Sequence, residues 1–350
     1  MAGEKKLMCG AHAMGLGAMA ANCRYFAGYP ITPQTELLEY MSQALPAAGG
    51  IFQQLNDEIS SIMACFGASA SGARVMTASV GPGLTLMIDG LANAAGAELP
   101  MVVGVLTRAH VGVSAGLLPA QSDIRMLKGG GNGDYHLPIY APSSCQEAAQ
   151  LTYEAFDLAD RYKTPVFVAI DGFMSNMMEV VGDVTPLEPR KYPYRASMAD
   201  KGASVISSYM TPDLDTHTVY RLAEKYQKMQ AEEARYEAYQ LDDAQFVIVA
   251  FGIMARVAKE VVLVARQRGI KVGLFRPITL YPFAEQALRE VAANVAGVLV
   301  TEMNMGQILT DVRLAVEGRC PIDFCGHPAK VIPPAKLLAA LESFAKKEAA

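Results

Sequence analysis

The chain has 350 residues, 51% of them hydrophobic and 19% charged, with a formal net charge of −5. That length and balance fit two core-forming domains of a soluble protein and argue against one domain or a disordered chain. The acidic balance and the lack of any aromatic-plus-basic cluster exclude a nucleic-acid surface. No apolar run approaches the roughly 18 residues of a membrane span, and MAGEKKLMCG has no hydrophobic signal region, so a cytoplasmic protein that contacts neither membrane nor nucleic acid is expected.

Six cysteines, Cys9, Cys23, Cys65, Cys145, Cys320 and Cys325, are scattered without a CxxC pair. They read as small buried hydrophobes and give this chain no iron–sulfur or structural zinc site of its own.

In chain order, the first distinctive stretch is GAHAMGLGAMAA, whose Gly15-x-Gly17-x-x-Ala20 loosely matches the dinucleotide fingerprint. That fingerprint needs a strong strand before it and an acidic residue ending a second strand, and both are missing here. Tight helix packing through small residues is the better account. GYPITPQTE (28–36) follows. Each proline fixes its own φ and disfavours helical geometry in the residue before it, which predicts extended Tyr29 and Thr32. A helix then opens at Pro33 with Thr32 as its N-cap. Such a helix start attracts anions, although an ordinary capped helix is the simpler reading of these residues alone.

Glu58, in QLNDEISS, starts a small-residue helix predicted over 58–72, where a first-turn glutamate is also simply favoured by the helix dipole. RVMTASV (74–80), PMVVGVLT (100–107) and TPVFVAID (164–171) read as buried parallel strands, with helices over 85–97 and 146–161. The turn Ser79-Val80-Gly81-Pro82-Gly83 lets backbone approach a ligand at a strand's carboxyl end, where open α/β sheets bind; a tight structural turn is the alternative. Arg108 opens a glycine-rich stretch running to Leu137 and holding GGGNGD, and a loop that long is usually functional. Its planar fork suits a carboxylate, with a surface salt bridge as the alternative.

From Val184 to about Gln240, TPLEPRKYPYR and a strongly charged run read as a linker and a solvated helix. A second α/β unit then begins with QFVIVAFG. It continues through a helix over VAKEVVLVARQRG, the strand IKVGLFRP, a helix after Pro282, the strand GVLVTE and a helix after Gly306. The predicted organisation is 1–185, 186–240 and 241–350. No catalytic triad or metal-ligand spacing is visible.

Taken together, GYPITPQTE, DEISSIMACFGASASGARVMTASVGPGLTLM, the Arg108 stretch with AGLLPAQSD, and YKTPVFVAIDGFM resemble, in order and spacing, the α subunit of the 2-oxoacid:ferredoxin oxidoreductases. VIVAFGIMARVAKEVVLVARQRGIKVGLFRPITLYPF and TEMNMGQILTDVR resemble its transketolase C-terminal-like domain. The resemblance covers most of the chain and is closest to split, multi-subunit enzymes acting on branched-chain 2-oxoacids or 2-oxoglutarate. It implies an α/β chain of two domains, a thiamine-diphosphate-binding (pyrimidine) fold followed by a transketolase C-terminal-like domain.

The activity that it implies is oxidative decarboxylation of a 2-oxoacid to acyl-CoA and carbon dioxide, by a subunit active only with its partners. Those are a β subunit holding the diphosphate, its Mg2+ and an iron–sulfur cluster, γ and ferredoxin-like δ subunits, and ferredoxin, with coenzyme A as acyl acceptor. In this chain the resemblance implies Glu58 as the catalytic carboxylate beside the aminopyrimidine ring and Thr32 and Arg108 as substrate contacts. Tyr29, Pro30, Ile31, Gly81, Pro82 and Gly83 line the cofactor, and no residue binds metal.

Two places depart from the family pattern. Gly10-Ala11-His12 stands where an Asn-Glu pair is common after the glycine, and Ala109-His110-Val111 stands where small glycines often follow the arginine. A bulkier, less charged pocket is expected, favouring branched-chain or aryl 2-oxoacids, with 2-oxoglutarate possible. A subunit of a non-oxidative thiamine-dependent decarboxylase or transketolase-like enzyme, and a noncatalytic scaffold, are the alternatives.

Overall fold

The computed structural model describes residues 5–109, 118–188, 190–201 and 212–348. The first unit runs β1 (Lys6–Cys9), α1 (Gly10–Ala20), β2 (Tyr25–Gly28), α2 (Thr35–Ala47), β3 (Ile51–Gln54), α3 (Glu58–Ala70), β4 (Val75–Ser79), α4 (Gly81–Gly96) and β5 (Met101–Thr107). It continues with α5 (Ile124–Gly129), β6 (Ile139–Tyr140), α6 (Cys145–Tyr162), β7 (Pro165–Asp171), α7 (Gly172–Asn176) and β8 (Met178–Val181). Then come α8 (Pro193–Lys201), α9 (Pro212–Glu233), β9 (Tyr236–Tyr239), β10 (Phe246–Val249), α10 (Gly252–Gln267), β11 (Val272–Pro277) and β12 (Thr279–Tyr281). The chain closes with α11 (Glu285–Ala292), β13 (Gly297–Glu302), α12 (Leu309–Val316), β14 (Ile322–Gly326) and α13 (Pro334–Glu348).

Among the described residues two α/β sheets result, as the alternation of buried runs and amphipathic segments predicts, beside a separate antiparallel pair of β1 and β8. The first has strand order β12-β6-β7-β5-β4-β2-β3, parallel except for β12, and the second β14-β13-β10-β11-β9, parallel except for β9. β4, β5 and β7 are buried along their whole length, which explains their continuous apolar character. Helices α3 and α4 cover one face of the first sheet, while α1, α2 and α6 pack on the other. The small residues of α1 serve that packing. A Cβ at Gly17 would overlap the Ala149 carbonyl of α6, and one at Gly15 would overlap the Tyr40 ring of α2. The six thiols are buried and form no disulfide, and burial pushes Cys23 and Cys65 up to about 12.

Several local expectations change. Thr32 does not cap a helix: α2 starts at Thr35, and Pro33 sits in a turn with a cis Thr32–Pro33 peptide, closed by Gln34 N–H donating to the Ile31 carbonyl (2.8 Å). The turn leaves Thr32 two residues ahead of Gln34, the cap position of the helix, and Thr32 is exposed. Helix α4 begins at Gly81 and not Thr85, because Pro82 in the first turn lacks only an N–H that has no helical partner there. The stretch after Arg108 contains α5, and His110 lies outside the described residues. The charged helix α9 is not wholly solvated, since Leu222, Tyr226 and Met229 are buried along one stripe.

The two units interlock. β12 leaves the second stretch to pair antiparallel with β6 of the first sheet. Arg276 of β11 reaches Glu147 of α6 with two N–H groups (2.7 and 2.9 Å), and Lys128 of α5 pairs with Asp311 of α12 at 2.5 Å. Among the described residues no helix is long and apolar enough to cross a membrane.

Candidate active site

In the first sheet the chain runs outward from β2 to β3 and then returns to β4 on the other side of β2, so the carboxyl ends of β2 and β4 frame a topological switch point. The residues singled out by sequence gather around it: 29–34 follow β2, Glu58 opens α3, Gly81-Pro82-Gly83 follow β4, and Arg108 follows β5.

Glu58 is held at the start of α3 by Asp57, whose extended backbone and side chain cap the helix by accepting from Ser60 N–H (2.6 Å). The Glu58 side chain turns inward and is only 5% exposed. Burial raises its pKa above the ordinary carboxylate value; its own backbone N–H opposes that shift and the Asp57 charge adds to it. Gly83 closes over the carboxylate, since a Cβ there would overlap both Glu58 Oε1 and Ser79 Oγ. Ser79 Oγ is fully buried beside the same carboxylate and, as a hydrogen-bonding hydroxyl, opposes the rise. Gly81 N–H donates to Asp123 Oδ2 (3.2 Å), which ties the start of α4 to the start of α5.

Arg108 is 8% exposed and points back across the strand ends, where Nη1 donates to the Thr32 carbonyl (2.6 Å). Its Nε is buried without a partner among the described residues. The predicted pair Thr32 and Arg108 is therefore in direct contact, through the Thr32 backbone and not its hydroxyl. Tyr29 is 38% exposed beside them, with Pro30 and Ile31 half-buried. Among the described residues no hydrogen bond joins the Thr32–Arg108 pair to the Glu58–Gly83–Ser79 cluster; the two occupy neighbouring strand ends. His12 caps nothing here; its ring packs on Tyr40 at 5.5 Å.

Gln121 is the residue that sequence reasoning missed. It is 1% exposed and reaches the second unit, with Nε2 donating to the Phe251 carbonyl (2.7 Å) and Oε1 accepting from Met303 N–H (2.9 Å). Asp171, ending β7, likewise accepts from Ile253 N–H at the start of α10 (2.9 Å) and from Met174 N–H (2.9 Å). Burial pushes its carboxyl up to about 6. A cleft of about 500 Å3 opens beside these contacts, between Ala109, Ser122 and Arg125 of the first unit and Asn304, Met305 and Gln307 of the second.

A buried, proton-retentive carboxylate under a glycine, next to a guanidinium with donors to spare, suits a polar heterocycle on one side and an anion on the other. Residues 16–245 match the family described as pyruvate flavodoxin/ferredoxin oxidoreductase, thiamine diphosphate-binding, and residues 244–330 match pyruvate:ferredoxin oxidoreductase core domain II. The ketoisovalerate oxidoreductase subunit VorB of Methanothermobacter marburgensis is 41% identical over 315 residues, covering 86% of each chain. The 2-oxoglutarate synthase subunit KorA of Methanocaldococcus jannaschii is 36% identical over 334 residues, covering 88% of this chain and 90% of the relative. A solved 2-oxoglutarate:ferredoxin oxidoreductase from Magnetococcus marinus, with 2-oxoglutarate, coenzyme A and succinyl-CoA bound, superposes with a TM-score of 0.86 at 23% identity. That likeness is one of fold; it covers 97% of this chain and 65% of the other, so the chain spans a little under two thirds of that structure's chain.

Proposed function

The chain belongs to the pyruvate flavodoxin/ferredoxin oxidoreductase family, and from that premise we propose that it is the α subunit of a cytoplasmic, multi-subunit 2-oxoacid:ferredoxin oxidoreductase. The reaction converts R–CO–COO⁻ and CoA–SH into R–CO–S–CoA, carbon dioxide, two electrons and one proton. The electrons leave singly to iron–sulfur clusters on partner chains and on to ferredoxin. A β subunit holds the cofactor's diphosphate and Mg2+, and γ and ferredoxin-like δ subunits complete the assembly.

Thiamine diphosphate supplies, when bound, the electron sink for the carbon that loses carbon dioxide. The residues present fit its pyrimidine half. Glu58 would hold a ring nitrogen through a hydrogen bond from its buried carboxyl, whose proton affinity burial raises. Ser79 is a buried hydroxyl beside that carboxylate, and Gly83, lacking a side chain, lets the start of α4 pack directly against both. Tyr29, Pro30 and Ile31, with Gly81 and Pro82, form the walls. Arg108 receives the substrate's carboxylate and Thr32 its carbonyl oxygen, the buried guanidinium excluding water from the ion pair. The higher identity to a ketoisovalerate than to a 2-oxoglutarate relative supports a branched-chain 2-oxoacid as substrate.

The observation that carries this reading is the burial of Glu58 beneath Gly83 at the switch point. Its test is Glu58→Gln in the assembled complex, assayed across branched-chain, aryl and dicarboxylic 2-oxoacids. Turnover should fall about 10²- to 10⁴-fold with assembly intact, the span of a lost acid–base group. Near-normal turnover would leave this subunit a scaffold, and exclusive activity on 2-oxoglutarate would overturn the substrate assignment.

A further inference from the structure

In the second sheet the chain passes from β10 to β11 on one side and later to β13 on the other. The carboxyl ends of β10 and β13 thus frame a second switch point, the position at which open α/β sheets take their ligands. Here a residue of the first unit fills it. Gln121 donates from Nε2 to the Phe251 carbonyl (2.7 Å) and from its backbone N–H to the Met303 carbonyl (3.0 Å). It accepts at Oε1 from Met303 N–H (2.9 Å) and at its carbonyl from Asn304 Nδ2 (2.7 Å). Asn304 is fixed in turn, with Oδ1 accepting from Gly306 and Gln307 N–H (2.7 and 2.9 Å) and Nδ2 also donating to Glu302 (2.8 Å).

The residues on either side of Gln121 face the other way, toward the first site. The Ala120 carbonyl accepts from Thr107 Oγ1 (2.5 Å), and Ser122 Oγ donates to the Arg108 carbonyl (2.5 Å). Arg108 pairs with Pro119 in an antiparallel bridge, and Ala109 N–H donates to the Leu118 carbonyl (2.8 Å). Hydrogen bonds from the second sheet to Gln121, the Gln121–Ser122 peptide link and the Ser122 hydrogen bond therefore connect the second sheet to the backbone of Arg108, whose guanidinium meets Thr32.

We propose that Gln121 is a positioning residue: seated in the second sheet's switch point, it fixes the backbone that aims Arg108 and so makes the second unit set the geometry of the first unit's anion clamp. This rests on the reading of Arg108 as the contact for the 2-oxoacid carboxylate. An amide is needed at this place. Glutamate would put a carboxylate oxygen against the Phe251 carbonyl, and leucine would strand that carbonyl and Met303 N–H in a buried site.

The test compares Gln121→Leu, Ser122→Ala, Arg108→Gln and the Arg108→Gln/Gln121→Leu pair in the assembled complex, reading KM for the 2-oxoacid and for coenzyme A separately. Gln121→Leu should raise the 2-oxoacid KM about tenfold, the effect of a hydrogen bond's worth of misplacement, and leave the coenzyme A KM unchanged. Ser122→Ala, which keeps the plug in place, should shift the same constant in the same direction by less and decides the matter if Gln121→Leu does not assemble. The double variant should be no worse than Arg108→Gln. Equal rises in both KM values, additive penalties, or an unchanged 2-oxoacid KM in Gln121→Leu and Ser122→Ala beside a raised one in Arg108→Gln would overturn the proposal alone. An unchanged KM in Arg108→Gln would overturn the clamp itself.

Discussion

The two sheets offer the same architectural position twice, and the chain treats the two in opposite ways. At the first switch point, buried polar atoms are left without partners among the described residues, both amide atoms of Gln34 and Arg108 Nε among them, near a carboxylate that burial keeps protonated more readily than usual. At the second, Gln121, Asn304 and Glu302 engage one another and the surrounding backbone, with Glu302 accepting from Ile308 N–H (2.9 Å) and Leu309 N–H (3.1 Å). Unsatisfied groups inside a protein are costly, so a cluster of them at one crevice marks a place awaiting a ligand. A network of this density at the equivalent crevice marks a joint, even though Thr301 Oγ1 beside it is buried without a partner among the described residues. The comparison shows why fold alone does not assign function: the two units share a topology, and only what fills the crevice separates chemistry from support.

Matched glycine substitutions sharpen the contrast, beginning with the larger effect on turnover. In Gly83→Ala the new methyl would overlap Glu58 Oε1 and Ser79 Oγ, so the carboxylate must move. A displacement on the order of 1 Å at a reacting group costs about 10²-fold, and that is the expected fall in kcat for the assembled complex, beside the stability lost to the overlap itself. Normal kcat in this variant would mean that the carboxylate's position is not what the reaction depends on. Gly252→Ala strikes the joint instead. Gly252 has φ +54, and a Cβ there would lie 2.7 Å from both Asp171 Oδ2 and Gln121 Nε2. Strain of that kind costs about 1–3 kcal/mol, so the melting temperature of the complex should drop by several degrees while kcat falls far less than in Gly83→Ala.

The sequence is legible where a signal is local. β4, β5 and β7 are continuous apolar runs because both faces of the sheet are covered, and Glu58 stands out as a carboxylate opening a helix of small residues. The start of α2 is misread because the prolines set up a turn, and nothing in GYPITPQTE separates that turn from a capped helix start. The buried stripe of α9 was readable in principle, as Leu222, Tyr226 and Met229 recur at helical spacing within the charged run. Gln121 was not. Its partners Phe251 and Met303 are distant in sequence, and a glutamine in AGLLPAQSD carries no pattern that announces a contact with another sheet.

The smallest expected effect is also the one that probes the joint without breaking it. Asp171 belongs to the first unit but accepts from Ile253 N–H of the second, and burial pushes its carboxyl up to about 6, above the ordinary carboxylate value near 3.8. A raised folded-state value means that the closed joint binds the proton more tightly than the opened one. The joint is therefore strengthened as pH falls through about 6 toward 4, and loses that increment as pH rises through 6. Between pH 7 and pH 5 the gain is about 1.3 kcal/mol, or about tenfold in the opening equilibrium. Amide exchange of the 251–253 segment in the assembled complex, corrected for the intrinsic pH dependence, should be about tenfold better protected at pH 5 than at pH 7. Asp171→Asn should abolish that difference, since the amide does not titrate. An equal pH response in both proteins would assign the effect to other carboxylates, and Asp171 would then be a structural acceptor whose proton has no bearing on how the two units hold together.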